Sequence, residues 1–234
     1  MSHQVTLTFD NGPSAEVTPY VLDTLAKHGI KTTFFVIGEM LDDPAARAAT
    51  ERAVAEGHWV GNHTNTHRKT LGQFEDFQES VAELTRCDEK IGDLAHPDHF
   101  IRPFADGGIL DERVLNPVAY QHLLDDKATV VLWSAVPEDW VDDAWVDRAM
   151  KQIEEQPWSL MVLHDIPLAH WSKLDEFLTR ARDAGVTFRQ DFPDHSVPIR
   201  RGELQWSIDH LIAQTPVEQS EAVRQELERV RQLR

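Results

Sequence analysis

Thr33-Phe34-Phe35-Val36-Ile37 is an unbroken apolar stretch rich in strand-forming residues, with Gly29 upstream of it and Gly38 directly after it. A strand buried on one face alternates apolar with polar residues. A continuous run suits a parallel strand covered on both faces. Residues 18–28 before it and 44–56 after it carry apolar positions at helical spacing, and Gly29 stands where a left-handed helix cap would lead into the strand. Working outward, the same alternation repeats about seven times. Strands are expected at residues 5–9, 32–37, 59–61, 100–102, 129–133, 160–163 and 186–188, and helices at 18–28, 44–56, 74–94, 112–124, 145–155 and 173–184. Gly185 repeats the placement of Gly29. Strict alternation of this kind predicts an α/β domain on a parallel sheet, either a closed barrel or a doubly wound open sheet.

The pattern stops after Phe192. Pro193, Pro198, Arg200, Arg201 and Gly202 read as a linker, followed by segments at 204–212 and 216–233. Val223, Leu227 and Val230 form one modest apolar stripe. The expected division is therefore a domain over 1–192 and, over 193–234, a linker with C-terminal helices. Those helices would pack on the domain or make a homodimer contact.

Composition narrows the partners. Lys and Arg total 23 against 40 Asp and Glu in 234 residues, a formal net charge of -17. Such a surface repels phosphate backbones and anionic lipid, which argues against nucleic-acid and membrane partners. The single cysteine, Cys87, leaves no intrachain disulfide and suits a reducing compartment. Residues 1–10 alternate polar with apolar residues, unlike a signal peptide. No apolar run approaches the roughly 20 residues of a membrane helix. A cytoplasmic protein is the expectation.

The residues able to do chemistry fall in one kind of place. Asp10 and Asn11 close the first expected strand, His63 and His67 follow the third, and Arg102 ends the fourth. Asp139 and Trp140 come just after the fifth, while Leu163, His164 and Asp165 end the sixth. In α/β barrels the carboxyl ends of the strands share one face, where active sites are built. His63 and His67 are four residues apart, a spacing that aims both imidazoles one way on a helical turn and supplies half of a tetrahedral zinc site. Taken singly, each group has a plain structural explanation. In a chain with 12 histidines a pair at this spacing arises by chance, Asp10 could serve a turn, and Arg102 could lie on the surface.

Together the clusters resemble the five motifs of the polysaccharide (NodB-type) deacetylases. Thr8-Phe9-Asp10-Asn11-Gly12-Pro13 is similar to the first motif, TFDDGP. Gly61-Asn62-His63-Thr64-Asn65-Thr66-His67 is similar to the second, a His pair with a GNH lead-in. Arg102-Pro103-Phe104, Asp139-Trp140 and Leu163-His164-Asp165 resemble the third to fifth, in the family's order, over roughly residues 5–190. The resemblance implies a distorted (β/α)7 barrel and a metal-dependent hydrolase. It implies Asp10 as general base, oriented by Arg102, and His164 as general acid, tethered by Asp139. Asn11, His63 and His67 would hold a divalent metal, most often Zn2+, and Trp140, Pro103, Phe104 and Leu163 would contact substrate.

The chemistry asks for these residue types on its own account. Amide hydrolysis at neutral pH needs an acidified water, which a divalent ion provides. A carboxylate base contributes about 10²–10⁴-fold, and the departing amine needs a proton, for which a histidine held by a carboxylate is suited.

Two departures from the pattern matter. Asn11 stands where the family has a metal-binding aspartate; a neutral amide oxygen lowers affinity or changes the preferred metal. Arg102-Pro103-Phe104-Ala105-Asp106-Gly107-Gly108 replaces the family's RPPYG. The expected activity is removal of an acetyl group from an N- or O-acetylated carbohydrate or small amide. Two other readings stay open on sequence alone: a metal-poor pseudoenzyme or carbohydrate-binding protein, and a hydrolase of a non-sugar amide or cyclic ureide.

Overall fold

A computed structural model describes residues 3–215. Seven strands pair in parallel: β1 (Gln4–Asp10), β2 (Thr33–Val36), β3 (Trp59–Asn62), β4 (Phe100–Ile101), β5 (Thr129–Val130), β6 (Trp158–His164) and β7 (Thr187–Arg189). Between them lie α1 (Val17–Lys27), α2 (Pro44–Ala55), α3 (Phe77–Ile91), α4 (Pro117–Asp125), α5 (Trp145–Glu154) and α6 (Leu174–Asp183). β1 is the hub. It runs beside β6 along its whole length, from Gln4↔Trp158 to Asp10↔His164. β7 pairs with Gln4, Val5 and Thr6 of β1, whereas β2 pairs with Thr8, Phe9 and Asp10.

The ring closes through a kink. The fifth strand was expected over 129–133 but ends at Val130, and the chain re-enters pairing at the Ala135↔Met161 bridge. Ser134 and Ala135 N–H groups both donate to the Leu160 carbonyl at 3.0 Å. The result is the distorted (β/α)7 barrel that the family resemblance implies, one of the two arrangements the alternation left open.

Period-two alternation explains the opening stretch. Phe34 and Val36 face outward and join Leu7, Phe9, Met161 and Leu163 in a core with Val21, Leu25, Phe177 and Leu178 of the surrounding helices. Phe35 faces inward, with Phe100, Val131 and Leu160. Both faces are covered, so an uninterrupted apolar run is what the position requires. Each such side chain contributes about 1.5–3 kcal/mol by leaving water.

Side-chain caps set two helix starts later than the apolar spacing predicts. α4 was expected from 112 but begins at Pro117, because the Asn116 side chain caps the Val118 and Ala119 N–H groups and proline takes the first helical position. α3 was expected from 74 but begins after Asp76, whose side chain accepts from the Gln78 N–H.

The linker expected over 193–202 is corrected. Ile199–Arg200 and Glu203–Leu204 form a hairpin, β8 and β9, and β8 pairs antiparallel with β5 through Val130↔Ile199. Arg201 and Gly202 both adopt positive φ (51° and 79°), the turn that joins two strands with a matching twist. Residues 204–212 are not a helix either. They hold one short turn at Asp209–Leu211, and Leu115 and Ile212 bridge. Ile208 and Leu211 are buried against the α4 side of the barrel, so covering that core decides the conformation. The helix and homodimer contact expected at 216–233 lie outside the described residues.

Candidate active site

Inward-facing residues of β1 place one carboxylate in the barrel mouth. Thr6, Thr8 and Asp10 alternate with the outward Val5, Leu7 and Phe9, and Asp10 is 3 % exposed. Arg102, fully buried just past β4, donates from Nη1 to Asp10 Oδ1 at 2.8 Å and to Thr8 Oγ1 at 2.7 Å. Its Nε and Nη2 donate to the Val131 and Leu132 carbonyls. The guanidinium carbon lies 4.1 Å from the Phe35 ring centre. Every side of the arginine is engaged, so its direction is fixed and Asp10 has one available orientation. Burial pushes the Asp10 carboxyl above its ordinary range, and Arg102, His164 and His67 pull it back only in part. Arg102 thus orients the carboxylate, while burial outweighs its pull towards the ionised form.

The histidine pair sits in a loop after β3, not on the helical turn expected from its spacing. Thr64 and His67 adopt positive φ (68° and 54°). The loop is held from several directions. His63 N–H donates to Val36 O, and Gly38 and Glu39 N–H groups donate to Thr64 O and Asn65 O. Glu83, buried on α3, accepts from both the N–H and hydroxyl of Thr66. A Cβ on Gly38 would come within 2.6 Å of Asn65 Oδ1, so glycine is needed there. The two rings still face each other, 4.9 Å apart at their centres.

His63 Nδ1 lies 2.7 Å from the Arg102 carbonyl. A carbonyl only accepts, so Nδ1 carries the proton and the Nε2 lone pair is free. Nε2 points towards Asp10, 3.6 Å from Oδ2. Burial lowers the His63 pKa to about 3 and holds His67 well below its ordinary value. Neutral imidazoles are the form that binds metal.

Beside Asp10, at the end of β6, Asp139 grips His164 twice. Its Oδ1 is 2.7 Å from His164 Nδ1, and its Oδ2 accepts the His164 N–H at 2.8 Å. Burial opposes the charged ring, but the Asp139 charge and hydrogen bond outweigh it and raise the His164 pKa. The Trp140 ring stands edge-on to His164, centres 4.9 Å apart.

A divalent ion suits this set of residues. Asn11, at φ 71°, presents a buried Oδ1 that no donor in the described residues satisfies. An orphaned buried acceptor on the residue after Asp10, whose carboxylate lies 3.6 Å from His63 Nε2, is what a cation would satisfy. Asn11, His63 and His67 are therefore the side chains fitted to hold it.

Several expected contacts differ. Leu163 is 2 % exposed and packs outward with α1 and α6 residues, because it alternates with the inward His164. The expectation that it lines the substrate pocket is corrected: Val162, two residues before His164, shares its face. Phe104 stacks on His67, centres 3.7 Å apart, and buttresses that ring. Pro103 is buried. Trp133, missed in sequence because it read as the end of a strand, donates from Nε1 to Gly108 O and so ties down the loop after Arg102. Asp165 follows His164 in the fifth motif. Burial raises its carboxyl to about 6, and Thr18 hydrogen-bonds to it.

Among the described residues, one trio of aspartate and histidine donors has its atoms within 4.8 Å of one another: Asp88, His99 and Asp126. It lies at the amino end of β4, and its Asp88 also accepts from the Asn62 side-chain amide of the second motif at 2.8 Å. Each nitrogen of His99 already faces a separate carboxylate.

Comparison with known proteins identifies the family. The family model for polysaccharide deacetylase matches residues 2–116. A chitooligosaccharide deacetylase of Sinorhizobium fredii is 37% identical over 166 residues, covering 69% of this chain and 71% of that protein. A peptidoglycan-N-acetylglucosamine deacetylase of Bacillus cereus is 30% identical over 192 residues, covering 79% of this chain and 66% of that one. The chain spans only 37% of the length of the Listeria monocytogenes enzyme PgdA, to which it is 29% identical. Among solved structures, the peptidoglycan deacetylase PdaC of Bacillus subtilis superposes with a TM-score of 0.65 at 28% identity, covering 80% of this chain and 87% of that one. With its barrel, its clustered motifs and relatives of this similarity and coverage, the chain belongs to the polysaccharide deacetylase family, metal-dependent hydrolases of carbon–nitrogen bonds outside peptides.

Proposed function

We propose that this chain removes the N-acetyl group from an N-acetylglucosamine-containing carbohydrate, with Asp10 as general base, His164 as general acid, and zinc held by Asn11, His63 and His67. The carrying observation is the opposition of two differently tuned groups. Asp10 and His164 are neighbours in the β1–β6 register on the same interior face. One is paired with a buried arginine and the other with a buried aspartate. A protein that only binds sugar has no use for a matched proton acceptor and donor. The names of the relatives support N-acetylglucosamine as the sugar.

A bound divalent ion would acidify the attacking water and polarise the acetyl carbonyl. Asp10 takes the water proton as its oxygen bonds to the carbonyl carbon, and Arg102 keeps Oδ2 aimed at the mouth by holding Oδ1. His164 then gives its proton to the departing nitrogen as the C–N bond breaks, leaving acetate and a free amine. Asp139 holds the ring in position for that transfer and stabilises its charged form. Trp140, edge-on to His164, walls the space for the acetyl methyl.

Incubating the zinc-loaded protein with N-acetylglucosamine oligomers, and measuring acetate and free amine in equal amounts, tests this reading. Acetate released only from O-acetylated sugars, or hydrolysis confined to small non-sugar amides, would replace the substrate class. No turnover on any of them by metal-loaded protein would replace the enzyme reading itself.

A further inference from the structure

Beyond the paired ends of β1 and β6, two residues without an assigned part in the reaction press together. A Cβ placed on Gly12 would lie 2.3 Å from each carboxylate oxygen of Asp165. The carboxylate therefore rests against the glycine Cα in a space that only a missing side chain provides. Asp165 is 1 % exposed. Its Oδ2 accepts from the Thr18 hydroxyl at 2.5 Å, and that hydroxyl in turn accepts the Ser14 N–H at 2.8 Å. The end of β6 thus reaches through one carboxylate into the loop between β1 and α1. On the loop's other flank, Ile37 N–H donates to Gly12 O at 2.8 Å. Both restraints act on Gly12 and Ser14, directly after Asn11, which holds a left-handed conformation next to Asp10. Because side chains alternate along a strand, His164 faces the barrel mouth while Asp165 faces this loop.

We infer that Asp165 is a positioning residue, whose carboxylate, seated on Gly12 and held by Thr18, sets the turn that aims Asp10 and the Asn11 oxygen. The parts of Asp10 and Asn11 rest on the function proposed above; the coupling of Asp165 to the turn does not. The histidine that donates the proton and the aspartate that fixes the opposite arm are then consecutive residues. One strand end sets the distance between the two halves of the site.

The test compares Asp165→Ala, Asp165→Asn, Gly12→Ala, Thr18→Val and the double variant Gly12→Ala/Asp165→Ala. Zinc affinity by equilibrium dialysis and separate kcat and KM values are the readouts. Asp165→Ala is expected to weaken zinc binding and lower kcat by about 10–100-fold, with KM little changed, as for partners that orient metal ligands. Asp165→Asn keeps the shape and the acceptor for Thr18, and should recover most of both. Thr18→Val should move both the same way by less. The Gly12→Ala penalty should shrink when Asp165 is already alanine, because the oxygens that collide with the new methyl are gone.

Additive penalties would overturn the inference. So would an Asp165→Ala protein that melts earlier yet keeps zinc affinity and kcat, which is the signature of a merely structural residue. If the alanine variants do not fold, unchanged affinity and kcat in Thr18→Val would overturn it as well. Wild-type protein that binds zinc without releasing acetate would sink the proposed function, while the affinity cycle would still decide whether Asp165 sets the turn.

Discussion

The two ends of β4 carry histidine–carboxylate groupings, one partly exposed and one buried, and they differ in what is left over. At the amino end, His99 gives one nitrogen to Asp88 at 3.1 Å and the other to Asp126 at 3.4 Å. The hydrogen bond to Asp88 raises its pKa against the opposing effect of burial. At the carboxyl end, Arg102 takes one oxygen of Asp10, while His63 and His67 are held neutral and Asn11 keeps a bare oxygen. The first grouping satisfies itself. The second is complete only with something added. Local chemistry is similar at both ends, so residue types alone do not mark an active site; unmet valence in a buried mouth does.

Four sets of variants, and one pH shift, press on that contrast. The largest effect belongs to the proton carriers. Asp10→Asn and His164→Ala should each lower kcat by about 10²–10⁴-fold while zinc content stays near that of wild type, since neither is a proposed ligand. Unchanged turnover in either would remove it from the chemistry.

Next come His63→Ala and His67→Ala, each expected to abolish stoichiometric zinc by elemental analysis of dialysed protein. Full occupancy in both would show that the ion is held elsewhere. Asn11→Asp works in the other direction. A charged oxygen replaces the bare neutral one, and zinc affinity should rise by about tenfold, 1.4 kcal/mol being a modest share of what an added charge offers a dication. Equal affinity in dialysis would take Asn11 out of the coordination sphere.

A smaller change is a shift in pH dependence. His164 titrates above its ordinary 6.5, so the proton donor is present below that raised pKa and lost as pH climbs through it. The alkaline limb of the kcat profile should therefore lie above 6.5. Asp139→Asn removes the stabilising charge and should move that limb to lower pH. An unmoved limb would mean that another group sets it.

The smallest effect is expected at the self-satisfied end. His99→Ala should leave zinc content and kcat unchanged and cost about 0.2–1 kcal/mol of stability, as partly exposed ion pairs do. A raised histidine pKa stabilises the fold fully below the unfolded value, and the benefit fades as pH rises through the folded value. Denaturant unfolding at about pH 6 should thus show the loss, and at about pH 9 a lesser one. A loss of zinc or activity in this variant would erase the contrast between the two ends.

Most strand and helix bodies were legible because their signal is local. The Thr33–Val36 run, the Gly29 cap and the helical spacing around them involve residues within a few positions of each other. The hairpin at Ile199–Arg200 and Glu203–Leu204 was read as a linker. Its two-residue strands are too short to show alternation, and their partner on β5 is far away in sequence. The helical reading of the His63–His67 spacing failed for a related reason: Gly38, Glu39 and Glu83, all outside the loop, dictate its path. Leu163 was misassigned by naming the residue beside His164 without applying the two-residue period of the strand they share.

By itself the sequence determined which chemical groups exist and at which strand ends they stand, because periodicity and order along the chain carry that information. It determined the parallel α/β alternation, the five motifs in register, and the substitution of asparagine at position 11. Only the tertiary structure decided that burial would push Asp10 up against the pull of Arg102, and that His63 would free its Nε2 by giving Nδ1 to the Arg102 carbonyl. Only it decided that Asp165 would lie on Gly12. These are sums over neighbours brought from distant parts of the chain. Desolvation, hydrogen-bond direction and close approach depend on where those neighbours are in space, which a linear pattern does not contain.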